Sequence, residues 1–137
     1  MISKRSNIIC QVASLLLSLT AITIITYITI TYIMVRKYEE KLWISIAGND
    51  VISIYNVVGI RKIESIDNKY NKNVTIIYKY VTSKDIDNYM LSLLAEKYII
   101  VEDNEFSKSL EKENNQDTIV VKINKKDGIY IIMYYIK

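Results

Sequence analysis

Apolar and polar residues divide this chain into two stretches of different character. From Ser6 to Val35 no side chain is charged. From Val12 to Val35 the run is apolar or lightly hydroxylated throughout. A bilayer core takes about 20 such residues in a helix. In hydrocarbon an isolated segment must satisfy its own backbone hydrogen bonds, so the run predicts a helix. At a rise of about 1.5 Å per residue it reaches about 45 Å, more than the hydrocarbon, so it tilts or rests one end among headgroups. Gln11 near one end, and Tyr27 and Tyr32 nearer the other, suit interfacial positions. The expected organisation is a short cytoplasmic tail over 1–6, a transmembrane helix over 7–35 and a small domain over 36–137.

Beyond Val35 the pattern turns periodic. Arg36 to Lys41 can carry the helix into water. Leu42–Ile46 reads as a strand ended by Ala47-Gly48-Asn49-Asp50, with Trp43 as core or as an interfacial anchor. Val51, Ile54, Tyr55 and Val58 fit a short helix with Asn49 or Asp50 as N-cap and Gly59 as C-cap, although their β-branched content suits a strand. Ile60–Asp67 and Val74–Thr82 read as strands joined by the polar loop 68–73. Thr82 or Ser83 then caps a helix with Asp85 and Asp87 in its first turn. Its apolar stripe is Ile86, Tyr89, Met90, Leu93 and Leu94. Tyr98–Val101 suggests a short strand. Glu102–Asp117 is polar and mixed in sign, so it reads as a loop with Phe106 and Leu110 as its apolar contacts. Thr118–Ile123 and Ile129–Ile136 form a hairpin around Asp127-Gly128, which supplies the positive φ of such a turn. The expected fold is a transmembrane helix plus an α+β domain: an antiparallel sheet with one main amphipathic helix packed on one face.

A cleaved signal peptide is the competing reading of the N-terminus. It would have an apolar stretch of about 7–15 residues and small residues at a cleavage site. This run is about twice that and exits into Met34-Val35-Arg36-Lys37 with no Ala-x-Ala. For orientation, Lys4, Arg5 and the α-amino group nearly balance Arg36, Lys37 and Lys41 under the positive-inside rule. A short tail before a long span behaves as a signal anchor, which predicts tail in and domain out. Within the span, Ser14, Ser18 and Ala21 line one face and suit close packing with another helix. The plainer reading of these residues and of Thr20, Thr23, Thr26 and Thr29 is hydroxyls bonded back to the preceding turn. No acid or base lies inside the run, which argues against an ion path through this helix alone.

Charge and composition narrow the function classes. Lys4 and Arg5 account for two of the 18 Lys and Arg, and all 15 Asp and Glu lie beyond Val35, leaving the domain at net +1. No basic footprint for nucleic acid follows. The chain has no His and one Cys, Cys10, inside the apolar run. Zinc sites built from His and Cys are excluded, the commonest general base is missing, and the domain has no disulfide. Gly48, Gly59 and Gly128 are too scattered for a phosphate-cradling loop. Ser83-Lys84 and Ser107-Lys108-Ser109 lie in solvated stretches, unlike a serine beside a desolvated lysine. Glu102-Asp103-Asn104-Glu105 lacks the spacing and glycine of a calcium loop. No cofactor and no catalytic or metal residue is expected. Ile, Lys, Asn and Tyr dominate, the usage of an AT-rich genome.

Tyrosine is over-used. Tyr78 and Tyr80 on one strand, and Tyr130 and Tyr134 on another, make a candidate partner surface, since Tyr covers area at small entropy cost. The alternative is that they are half-buried sheet residues. The helix Ser83, Asp85 or Asp87, Tyr89, Leu93 and the hairpin Asn124-Lys-Lys-Asp-Gly-Ile-Tyr130 together resemble small membrane-anchored extracytoplasmic α+β domains of low-GC Gram-positive bacteria. The resemblance spans about sixty residues, with Lys97-Tyr98 where a Gly-aromatic pair usually ends the helix. It implies a membrane-anchored envelope domain without assigned activity. The expected function is a single-pass, non-enzymatic envelope protein, in contact with lipid, whose domain binds another protein or packs into a membrane complex. One alternative is a pilin-like subunit, although the Gly processing site and the Glu inside the helix are missing. Another is a hydrolase of envelope polymers, which would need two facing carboxylates in a pocket.

Overall fold

The computed structural model describes residues 2–137, with side chains from Lys4 onward. The α-amino end counted among the tail charges lies outside the described residues. The chain divides into two compact units, one running to Met34 and the other from Val35 to Lys137.

The first unit is most of one helix, α1 (Ile2–Glu39). Every side chain from Lys4 to Met34 is exposed. The helix is long and apolar enough to cross a membrane, as an anchor or as a signal sequence. Its hydroxyls are spent locally: those of Thr20, Thr23, Thr26, Thr29 and Thr31 donate to carbonyls three or four residues back at 2.8–2.9 Å. A hydroxyl satisfied this way asks nothing of its surroundings, which suits an apolar medium.

The second unit is the α+β domain. β1 (Trp43–Ile46) and β2 (Asn49–Ile52) form a small antiparallel hairpin. Its two-residue turn has Ala47 at φ 48° and Gly48 at φ 82°, the double positive φ that matches strand twist. A short helix, α2 (Ile54–Val58), follows. Then come β3 (Ile63–Lys69), β4 (Asn73–Tyr78), α3 (Ser83–Ala95), β5 (Ile99–Asp103), β6 (Ser107–Asn114), β7 (Asp117–Lys126) and β8 (Ile129–Ile136). The main sheet has six strands, all antiparallel, in the order β3-β4-β8-β7-β6-β5. The anticipated fold class is what the structure has.

The core forms on one face of this sheet. Cross-strand pairs Val74–Tyr134, Ile76–Ile132 and Tyr78–Tyr130 run from β4 to β8, and Val121–Tyr134 and Ile123–Ile132 from β8 to β7. Against them α3 sets Ile86, Tyr89, Met90 and Leu93, all buried. Ile44, Ile46, Val51 and Ile54 from the small hairpin and α2 complete the same cluster. The helix starts where a reciprocal capping box forms: Thr82 Oγ1 accepts from Asp85 N at 3.2 Å, and the Asp85 carboxylate accepts from Thr82 N at 3.0 Å.

Several expected details are corrected. Residues 51–58 are neither all strand nor all helix: Val51 and Ile52 end β2, and α2 begins after Ser53. Ser53, not Asn49 or Asp50, is the N-cap; it is buried and its hydroxyl also bonds the Lys41 carbonyl. Trp43 is not core but 40% exposed, because the turn phase gives the inward positions to Ile44 and Ile46. β4 stops at Tyr78 rather than Thr82, and β3 starts at Ile63 rather than Ile60. Leu94 falls off the buried stripe of α3 and is exposed. The stretch read as a loop contains strand β6, in which only Leu110 of the two expected apolar contacts is buried, while Phe106 is exposed.

Candidate functional site

Three of the four tyrosines proposed as a partner surface are core residues. Tyr78, Tyr130 and Tyr134 are buried, and only Tyr80 is exposed, at 83%. Their side chains fall on the face covered by α3, while Tyr80 lies past the end of β4 at φ 61°. The expected surface therefore does not form.

What forms instead is a buried series of phenols. Tyr89 Oη lies 2.7 Å from the Ile52 carbonyl and 3.1 Å from Tyr134 Oη, and the buried Tyr78 phenol influences that of Tyr134. A carbonyl only accepts, and a phenol has one proton. Tyr89 thus donates to Ile52, and Tyr134 donates to Tyr89. The series ties α3, the centre of the sheet and the small hairpin. Burial pushes the ionisation of Tyr78, Tyr89 and Tyr134 well above the ordinary tyrosine value. Tyr98, buried at the end of α3, is pushed up to about 12. Neutral phenols satisfied in this way are structural.

The charged groups nearest the core are likewise engaged. Arg61 clamps Asp85 in two parallel bonds, Nε–Oδ2 at 3.0 Å and Nη2–Oδ1 at 2.8 Å. The Arg61 guanidinium, with the Thr82 backbone N–H, holds the Asp85 carboxyl down to about 2. Ser83 Oγ meets Tyr130 Oη at 3.0 Å, so Ser83 faces a phenol and not the amine of Lys84. Lys108 is paired with Asp103 and Lys122 with Glu102. Among the described residues no three of His, Cys, Asp and Glu gather as a metal site. Ser14, Ser18 and Ala21 are exposed on α1, and Ser18 Oγ donates to the Leu15 carbonyl at 2.8 Å.

The sheet's two edges are the remaining places where the fold leaves binding capacity open. A sheet edge carries unpaired N–H and C=O groups that template another strand. On β3 this capacity is guarded. The strand carries Glu64, Asp67 and Lys69, has an irregular register between Ile63 and Ser65, and gives the Ile63 N–H to the Glu39 carboxylate at 3.1 Å. On β5 the first three residues are Ile99, Ile100 and Val101, at 64%, 43% and 55% exposure. A bulge at Val101 is this edge's main guard, and the acids Glu102 and Asp103 follow it. A groove lies on each side of the strand. One of about 270 Å³ is lined by Met90, Leu91 and Leu94 of α3 with Ile100. The other, of about 410 Å³, is lined by Lys97, Ile99, Glu111 and Thr118. Side chains of an added strand point alternately to opposite faces, so both grooves would be within reach. Pattern reading found the strand at 98–101 but missed its edge position, because only the pairing order reveals it.

No family model, curated protein or solved structure matches this chain.

Proposed function

We propose that this is a single-pass membrane protein, tail inside and domain outside, whose domain is a non-enzymatic protein-binding module. The observation carrying the anchor is α1 itself: uncharged from Ser6 to Val35, with every side chain from Lys4 to Met34 exposed. Such a surface is costly in water and favourable in lipid. Protein binding is supported by the β5 edge, exposed and apolar over Ile99–Val101, a strand-addition surface with a groove on each face. The non-enzymatic reading rests on the absence of His and on Arg61, Asp85, Ser83 and Tyr89 being held in structural bonds. The resemblance to anchored envelope domains agrees with this reading.

Cell fractionation with mass measurement tests it. The expected result is an intact chain in the membrane pellet that resists alkaline carbonate. A chain recovered in the soluble fraction, trimmed within its first forty residues, would establish the second reading, a signal sequence, which the helix's place near the N-terminus favours.

A further inference from the structure

We propose that the β5 edge pairs with β5 of a second copy of this chain, antiparallel, joining two six-stranded sheets into one. This names the partner for the protein-binding reading above and rests on it. Three observations single out a second copy. The exposed apolar residues Ile99, Ile100 and Val101 are contiguous, so a twofold axis near Ile100 sets apolar against apolar from both sides. The charges then favour one direction. Glu96 and Lys97 offset each other at one end of the strand, while Glu102, Asp103 and Glu105 gather at the other, where Lys122 and Lys108 of the same chain offset Glu102 and Asp103 in part. Antiparallel pairing keeps the two acidic ends apart and brings each close to Lys97 of the other copy; parallel pairing would set acid against acid. Finally, the outer edges of the joined sheet would be the two β3 strands, which carry charges, an irregular register and the Glu39 cap. Growth therefore stops at two chains rather than running on as a filament. A membrane anchor would hold both copies in a plane and raise their effective concentration.

The test uses the full chain in detergent micelles, with Cys10→Ser as background and single cysteines at Ile99, Ile100 or Val101. Mild oxidation is expected to give a disulfide-linked dimer at one or more of these positions, and none with Ser65→Cys on β3. The double substitution Ile99→Lys, Val101→Lys sets like charges across the pairing and is expected to shift the mass measured by light scattering from two chains to one. Circular dichroism confirms that each variant keeps its fold. A chain that is monomeric and uncrosslinked at all three positions overturns the proposal. So does a dimer indifferent to the two lysines, which would place the contact on α1. Cross-links only to a protein of different mass also overturn it, while leaving the protein-binding reading intact. Recovery in the soluble fraction would overturn the anchor and leave the cross-linking result standing.

Discussion

Tyr134 and Met133 are neighbours on β8 and lie on opposite faces of the sheet. Tyr134 is fully buried under α3, paired across the sheet with Val74 and Val121 and hydrogen-bonded through its hydroxyl. Met133 is half-buried, between Thr75 and Lys122 on a face with no helix over it. The same strand thus has a side where shape and polarity are fully specified and a side that tolerates change. On the uncovered face Val120 is fully buried beside Tyr135 and Glu111, and Ser109, opposite Lys122, is also buried.

Substitutions on the two faces should separate accordingly. Leu93→Ala, at the centre of the α3 contact, should cost about 2–5 kcal/mol in denaturant unfolding of the full chain in detergent. A cost as low as that of a surface change would mean that α3 does not pack as described. Asp85→Asn removes the charge from the Arg61 clamp and should cost about 1–2 kcal/mol, discounted because the Arg61 side chain is 27% exposed. The pH dependence has a definite sign. The Asp85 carboxyl is lowered to about 2 by Arg61, so its contribution is complete above the ordinary carboxylate value and is lost as pH falls from about 4 toward 2. Arg61→Met should remove most of that acid sensitivity, read as a flatter midpoint-against-pH curve. Thr82→Ala, which removes half of the capping box, should cost about 1 kcal/mol. Met133→Ser, on the uncovered face, should change the midpoint least, by under about 1 kcal/mol. A larger loss there would show that the bare face is covered in solution.

The same contrast explains what could be read in advance. α3 was legible because cap, first-turn acid and stripe agree on one frame, from Thr82 through Asp85 to Leu93. The β7–β8 hairpin was legible because Asp127-Gly128 permits the turn and apolar runs flank it. β8 itself hides its orientation. Ile129 to Ile136 is apolar on both faces, so nothing along the strand says that Tyr130 and Tyr134 point in while Met133 and Tyr135 point out. That ambiguity is why a tyrosine surface was expected where the core lies. β6 was illegible for the opposite reason. Ser107 to Asn114 holds a single apolar residue, Leu110, and becomes a strand through its pairing with β7. Tertiary pairing overrides local preference there. Ser53 was missed as a cap because the β-branched residues before it blur the start of α2.

A last consequence lies in the order of the two hydrogen-bonded phenols, Tyr134 and Tyr89. Each has one proton to pass on, and the line ends on a group that can only receive, so the members are not equivalent. Phe in place of Tyr134 leaves the Tyr89 oxygen short of a donor. Phe in place of Tyr89 abandons the Ile52 carbonyl and strands the Tyr134 proton together, at about 1–3 kcal/mol for each orphaned group. The tolerance of this interior to losing a single oxygen atom should therefore fall along the line, from the sheet toward the small hairpin.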